Sequence, residues 1–295
     1  MNILSVDGLK KYYGPVKALD GISFSVPKGT VFGILGPNGS GKTTLLGIVM
    51  DVLKPSGGSY KLFEEEPKNF LRSKIGTLLE TPNFYHYLSA ANNLKIAASI
   101  KGIDEVEIDR VLKIVNLTAR KDSKFSTYSL GMKQRLAIAS ALLGDPEVLV
   151  FDEPTNGLDP VGISEIRNLI KELQRLGKTI IMASHLLDEV EKVCTHVAIL
   201  KKGKIISSGN VDEIFTQSDI VELESENSQD LLEAIKSLPG FLNVVQNGNT
   251  FTTSFNQGEV KLADINRFLF QKGIVLTKLN LKKKSLESKF IELTN

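Results

Sequence analysis

Nine residues, Gly36-Pro37-Asn38-Gly39-Ser40-Gly41-Lys42-Thr43-Thr44, constrain this 295-residue chain more than any other segment. They fit the pattern G-x-x-x-x-G-K-[ST], and their flanks matter as much as they do. Val31-Phe32-Gly33-Ile34-Leu35, just before, is an unbroken apolar run that reads as a buried strand. The segment from Thr44 to Met50, just after, reads as the opening of a helix. Strand, glycine-rich turn and helix form the context in which this pattern holds a phosphate. Glycines let the backbone curl until several amides face one anion, and the helix N-terminus adds its partial positive charge. Lys42 is then expected to reach the β- and γ-phosphates of a nucleotide, and the Thr43 hydroxyl to ligate Mg²⁺. The competing explanation, a glycine-rich turn that fits by accident, is disfavoured by the flanking strand and helix.

A second segment adds to that chemistry. Val148-Leu149-Val150-Phe151 is another apolar run, and it ends in Asp152-Glu153-Pro154. The acidic end of a second strand is where such a domain completes its Mg²⁺ site, so Asp152 is the expected ligand beside Thr43. Glu153 then faces the γ-phosphate, where a carboxylate can orient or deprotonate water. Two further apolar strands, 178–183 and 196–200, are separated by helical segments. Strands alternating with helices imply a parallel sheet with right-handed crossovers. From Leu88 to about Gly144 the period is helical. Leu94, Ile96, Ala97 and Ile100 form one apolar face there, and Val106, Ile108, Val111, Leu112 and Val115 another.

The texture changes after about Gln217. A strand at 220–224, a helix carrying Leu231, Leu232, Ile235 and Leu238, and two strands around Asn247-Gly248 follow one another. Asn-Gly between two such runs is a hairpin signal. A helix carrying Leu262, Ile265, Phe268 and Leu269 and a strand at 274–281 complete the order βαββαβ, that of a small ferredoxin-like α+β unit. A last helix is expected to carry Leu286, Phe290 and Leu293. The expected division is therefore 1–217 for a nucleotide-binding domain, with a helical subdomain at about 84–145, and 218–295 for an accessory or regulatory domain.

Charge and composition exclude other classes. With 36 basic and 34 acidic side chains, the chain is not built to grip nucleic acid by bulk charge. Cys194 is the single cysteine, which fits a reducing compartment and a role as a small apolar side chain. No run approaches the ~18 apolar residues of a membrane helix, and the N-terminus lacks the regions of a signal peptide. The expectation is a cytoplasmic protein whose membrane work, if any, needs another chain. His86 and His196 read as ordinary histidines. Phe84, Tyr85 and Tyr87 crowd four positions, either as core of the helical stretch or as an exposed groove for a short helix of a membrane subunit.

Several motifs carry a family resemblance. The segment 152–160, Asp-Glu-Pro-Thr-Asn-Gly-Leu-Asp-Pro, resembles the Walker B segment and D-loop of ABC-transporter ATPase subunits. Tyr128-Ser129-Leu130-Gly131-Met132-Lys133-Gln134-Arg135 resembles the signature loop, and Met182-Ala183-Ser184-His185 the strand end with the switch histidine. Lys11-Tyr12-Tyr13-Gly14 resembles the aromatic loop that stacks on adenine. Five motifs stand in the family's order over residues 1–217.

The resemblance implies a RecA-like P-loop NTPase core with an antiparallel β portion, ATP and Mg²⁺ as cofactors, and ATP hydrolysis. It also implies a transmembrane permease as partner and a head-to-tail pair of ATPase subunits, here a homodimer. It gives adenine stacking to Tyr13, with Tyr12 as nearest competitor, and γ-phosphate contact to His185. Ser129, Gly131 and Asp159 fall to the nucleotide of the second subunit. Ser129 and Gly131 precede a helix, which makes a second N-terminus for phosphate.

Three signature positions depart from the usual Leu-Ser-Gly-Gly-Gln: Tyr128, Leu130 and Met132. Glu80 stands where the family presents glutamine, and a carboxylate is a stronger Mg²⁺ ligand than an amide. Glu80, Pro82-Asn83-Phe84-Tyr85 and Ser129–Met132 together resemble the bacitracin-resistance and lantibiotic-immunity branch, which implies export of an antimicrobial peptide or drug. A soluble regulatory ABC ATPase is the alternative. Such proteins usually carry two ATPase units or a long coiled coil, and this chain has one unit and no sustained heptads. A module that binds without hydrolysing is disfavoured by Glu153 and His185.

Overall fold

The computed structural model describes residues 1–79, 83–215, 218–256 and 260–283. The chain divides into two compact units, Met1–Asn210 and Val211–Asn295.

The first unit begins with β1 (Asn2–Tyr13), β2 (Val16–Pro27) and β3 (Val31–Leu35), followed by α1 (Lys42–Val49), β4 (Gly57–Leu62), α2 (Asn69–Arg72) and β5 (Ile75–Leu78). Three helices come next: α3 (Ala90–Lys101), α4 (Val106–Ile114) and α5 (Leu130–Leu142). The unit closes with β6 (Val148–Asp152), α6 (Pro160–Arg175), β7 (Thr179–Ser184), α7 (Leu187–Val193), β8 (His196–Lys201) and β9 (Lys204–Asn210). Six strands form one sheet in the order β5-β6-β7-β3-β8-β9, parallel except for the β8–β9 hairpin. Every residue of β3, β6 and β7 is buried, which is why these strands read as apolar runs without alternation.

A second, antiparallel sheet has the order β2-β1-β4. Its strands alternate, and Ile22, Phe24 and Val26 do share the buried side. They join Leu45, Leu46, Ile48 and Val49 of α1 and Val148, Val150, Ile181 and Ala183 of the larger sheet in one core. Helix α1 is thereby packed into the core along its length, and its N-terminus is fixed relative to the ends of β3, β6 and β7. That edge of a parallel sheet is where ligands bind.

The helical stretch holds one correction. The face of α3 that enters the core is Ala90, Asn93, Leu94 and Ala98, while Ile96 is partly exposed and Ile100 is 81 % exposed. Positions four apart stack on one side at about 100° per residue, so 90, 94 and 98 stand together and 96 and 100 fall on the other flank. Ser89 caps this helix through its Oγ, which accepts the Asn92 N–H, and Gly102 ends it at φ +66°. Strand β5 lies so close to α5 that a Cβ on Gly76 would stand 2.1 Å from the Ala141 carbonyl oxygen. No other residue fits there without moving backbone.

The second unit contains α8 (Val211–Phe215), β10 (Ser218–Ser225), α9 (Ser228–Lys236), β11 (Phe241–Asn247), β12 (Thr250–Asn256), α10 (Leu262–Gln271) and β13 (Leu276–Lys283). Its four strands are antiparallel in the order β11-β12-β10-β13. Asn247 and Thr250 pair at the tip of the β11–β12 hairpin, with Gly248 at φ +62°. Val221, Leu223, Phe251 and Phe255 meet Leu231, Ile235, Ile265 and Leu269 of α9 and α10 in a separate core. The helix expected around Leu286, Phe290 and Leu293 lies outside the described residues.

Candidate functional site

The turn after β3 wraps back on itself before α1. A Cβ on Gly36 would stand 2.3 Å from the Leu200 carbonyl oxygen and 2.5 Å from Ser40 Oγ, and one on Gly41 2.5 Å from the Ala18 carbonyl oxygen. Gly41, at φ +113°, is the residue from which α1 starts. The glycines are therefore required by close approach at Gly36 and Gly41 and by a left-handed backbone at Gly39 and Gly41. Ser40 Oγ is buried and has no hydrogen-bond partner among the described residues. An unmet hydroxyl of this kind costs about 1–3 kcal/mol, which a bound anion would offset.

Lys42 is 5 % exposed. Its Nζ donates to the Gly36 carbonyl at 2.8 Å and lies 3.4 Å from Glu153 Oε1. Thr43 Oγ1 donates to Asp152 Oδ2 at 2.8 Å, which joins the first turn of α1 to the end of β6. Glu153 follows at φ +48°, a left-handed backbone that costs about 1–2 kcal/mol for a residue with a Cβ. Its N–H donates to the Ala183 carbonyl of β7 at 3.0 Å. The other carboxylate oxygen, Oε2, lies 2.8 Å from His185 Nδ1 and accepts the His185 backbone N–H at 3.4 Å. Lys42, Glu153 and His185 thus form one chain of contacts across the ends of three strands, with the Thr43–Asp152 pair beside it.

Lys42, Thr43 and Glu153 border a cleft of about 470 Å³, while Asp152 and His185 are not among its lining and meet it through their contacts with Thr43 and Glu153. Asn38, Gly39, Gly41, Lys42, Thr43, Thr44 and Glu153 line it, together with Val16, Lys17, Ala18 and Lys202. The volume is in the range of small-molecule sites. Tyr13 is not among the described lining residues. It stands 47 % exposed at the end of β1, paired in register with Val16, and Lys11 Nζ lies 5.0 Å from its ring centre. Tyr12 is engaged elsewhere, its hydroxyl donating to Asp20 Oδ1 at 2.9 Å. The missed lining residues belong to the β1–β2 and β8–β9 hairpins, and only the hairpin registers bring them to the loop.

A second concavity of about 480 Å³ gathers the remaining motif residues: Ser129, Leu130, Gly131, Gly157, Asp159 and Gly162 all border it. It lies between two helix starts. Ser129 caps α5 by accepting the Met132 N–H, and Asp159 caps α6 by accepting the Gly162 N–H at 2.9 Å. Leu130 is exposed toward solvent. Among the described residues the phosphate loop and Glu153 thus border one concavity, and Ser129, Gly131 and Asp159 border another. Glu80 lies outside the described residues.

The aromatic cluster divides. Phe84 packs edge-on against buried Phe125 with centroids 5.3 Å apart, whereas Tyr85 and Tyr87 are exposed. Buried Asn93 fixes this loop, accepting the Tyr85 N–H at 2.8 Å and donating to the Tyr85 and Ser89 carbonyls. Tyr85, Ile96, Ala97 and Ile100 line a groove of about 490 Å³.

The chain matches the ABC transporter family over residues 19–156. It is 35 % identical over 302 residues to the bacitracin transport ATP-binding protein BcrA of Enterococcus faecalis, a match that spans 99 % of this chain and 96 % of the relative. The lantibiotic transport ATP-binding protein SrtF of Streptococcus pyogenes is 39 % identical over 228 residues, 75 % of this chain and 99 % of its own length. Among solved structures, a subunit from Clostridium perfringens described as part of the ABC transporter complex cbiONQ superposes with a TM-score of 0.67 at 36 % identity, covering 72 % of this chain and 90 % of that one. A nucleotide-free ATP-binding cassette from an ABC transporter superposes with a TM-score of 0.66 at 29 % identity, covering 72 % and 93 %. With a P-loop α/β core, the motifs at one sheet edge and relatives matched along nearly their full length, the chain belongs to the ATP-binding proteins of ABC transporters.

Proposed function

We propose that the protein binds and hydrolyses ATP with Mg²⁺, and that two copies closing head to tail drive a separate transmembrane permease that exports an antimicrobial peptide or drug. The observation that carries this reading is that Lys42, Thr43 and Glu153 line one cleft, with Asp152 bonded to Thr43 and His185 to Glu153. The residues fit the nucleotide: a buried ammonium, a curled glycine loop and an unmet Ser40 hydroxyl all favour phosphate oxygens. They fit Mg²⁺ as well, since a threonine hydroxyl and a carboxylate are hard oxygen donors. No group of three His, Cys, Asp or Glu among the described residues makes an all-protein metal cage, and a cation held largely by phosphates needs none. Mg²⁺ bound there would neutralise phosphate charge. On this reading Lys42 grips the phosphate chain, Glu153 orients and deprotonates the attacking water, and His185 holds the Glu153 carboxylate in place and faces the γ-phosphate.

The half-site of Ser129, Gly131 and Asp159 lacks a phosphate loop of its own, so a second copy is the natural source of the nucleotide it meets. The exposed Tyr85–Ile100 groove supports a permease helix as the other partner, and no described helix is long and apolar enough to cross a membrane. That leads to a cytoplasmic position on the inner face of the membrane. The names of the bacitracin and lantibiotic relatives favour export of a peptide-like compound. The test is ATPase activity of the purified chain with Mg²⁺, together with recovery of a membrane protein when the tagged chain is extracted from detergent-solubilised cells. Activity without any membrane partner would favour the soluble regulatory alternative, and nucleotide binding without turnover would leave only a binding module.

Residues 218–295 we read as a ferredoxin-like accessory unit outside the nucleotide site. SrtF, matched over nearly all its own length by three quarters of this chain, supports that division. A chain ending at Asn210, the last residue of the first compact unit, is expected to bind Mg-ATP with unchanged affinity but to dimerise less readily. Calorimetry and size-exclusion mass with Mg-ATP check this. Lost binding in a chain that still melts cooperatively would contradict it.

A further inference from the structure

Lys202 lines the nucleotide cleft, yet no motif announces it. It shares with Gly203 the two-residue turn between β8 and β9, across which Lys201 pairs with Lys204. Both turn residues have positive φ, +47° at Lys202 and +74° at Gly203. Such mirror-image turns favour Asn, Asp or Gly at the first position, because a longer side chain crowds its own backbone there. A lysine held in that conformation is a local cost of the kind that collects at ligand sites.

The turn is fastened to the site. The Gly203 N–H donates to the Ser40 carbonyl at 3.0 Å, and the Gly203 carbonyl accepts the Asp20 N–H at 2.8 Å. A Cβ on Gly203 would stand 2.8 Å from the carbonyl oxygens of Lys17 and Ala18. The turn backbone is therefore one hydrogen bond away from the phosphate loop and cannot tilt from it without breaking that bond.

The three ammonium groups on the cleft are not equivalent. Lys42 is engaged with the Gly36 carbonyl and Glu153. Lys17 lies 3.6 Å from Asp20. Lys202 is exposed and makes no ion pair among the described residues.

We propose that Lys202 is a nucleotide-binding residue, its ammonium pairing with the phosphate chain of a nucleoside di- or triphosphate in this cleft. The proposal rests on the nucleotide reading above. An ammonium with no other partner, on a turn bonded to the phosphate loop, adds charge-assisted contacts without reorganising the site. Its removal is therefore expected to show in nucleotide affinity.

The experiment is calorimetric titration of the full chain with Mg-ATP and Mg-ADP at two salt concentrations, for the native protein and for Lys202→Ala, Lys202→Arg and Lys202→Asn. The expected result is a three- to ten-fold weaker Kd for both nucleotides in the alanine and asparagine variants, with a flatter salt dependence, and retention within two-fold in the arginine variant. Lys202→Asn, which relieves the turn, should also melt higher in the absence of nucleotide. That gain separates the charge from any structural role. Native affinity in both neutral variants overturns the proposal, and so does a loss in the arginine variant equal to that in the alanine variant. A native protein that binds neither nucleotide overturns the functional reading itself.

Discussion

Glu153→Gln is expected to abolish turnover while leaving ATP bound. The substitution keeps the shape of the side chain and its contact with His185 but removes the base that would take a proton from water. A positioned general base contributes about 10²- to 10⁴-fold, and a loss of that size in kcat is the expected effect. The amide also no longer attracts the Lys42 ammonium, now 3.4 Å from a carboxylate oxygen. Binding of ATP should therefore be at least as tight as in the native chain. With the γ-phosphate retained, the half-site of Ser129 and Gly131 on a second copy keeps its ligand, and dimers should accumulate. ATPase rate and size-exclusion mass with Mg-ATP, measured side by side, decide this. Turnover at the native rate would remove Glu153 from the mechanism.

Lys42→Ala acts one step earlier. Its ammonium is buried and already donates to the Gly36 carbonyl, so the site is organised around it. A charge-assisted contact of this kind contributes about 2–3 kcal/mol, or roughly thirty- to more than a hundred-fold in Kd. Calorimetry with Mg-ATP measures it. The expected loss exceeds that from removing Lys202, because Lys42 is desolvated and Lys202 is not. Equal affinity of the alanine variant and the native chain would mean that the loop does not hold phosphate.

What could be read in the sequence follows from how local each signal is. The phosphate loop announces itself because the residues that make it are covalent neighbours, and β3, β6 and β7 because burial on both faces leaves no polar position. Strand β9 gives no such signal: none of its residues is buried, so no apolar pattern marks it. In β4 only Tyr60 and Leu62 are buried. The cleft wall made by Val16, Lys17, Ala18 and Lys202 was invisible for another reason. Those residues come to the phosphate loop through hairpin register and the Gly203–Ser40 backbone bond, not through spacing along the chain. The apolar face of α3 misled in a third way. Ile96 and Ile100 line an open groove, and hydrophobicity alone does not tell a groove from a core.

Cys194 has a consequence of its own. Its sulfur is sealed at the end of α7 against Gly33, where even an added Cβ would approach within 2.9 Å of it. Burial, and behind it the nearby Glu189 carboxylate, push its thiol far above the ordinary range. A sulfur that stays protonated and unreachable does not enter the peroxide or disulfide chemistry that begins with a thiolate. Since no other cysteine exists in the chain, the folded protein offers no thiol for disulfide exchange. Thiol-directed alkylating reagents are expected to leave the folded protein unmodified. A cysteine introduced anywhere on its surface would be the sole point of attachment for a spectroscopic label, with the native residue silent behind it.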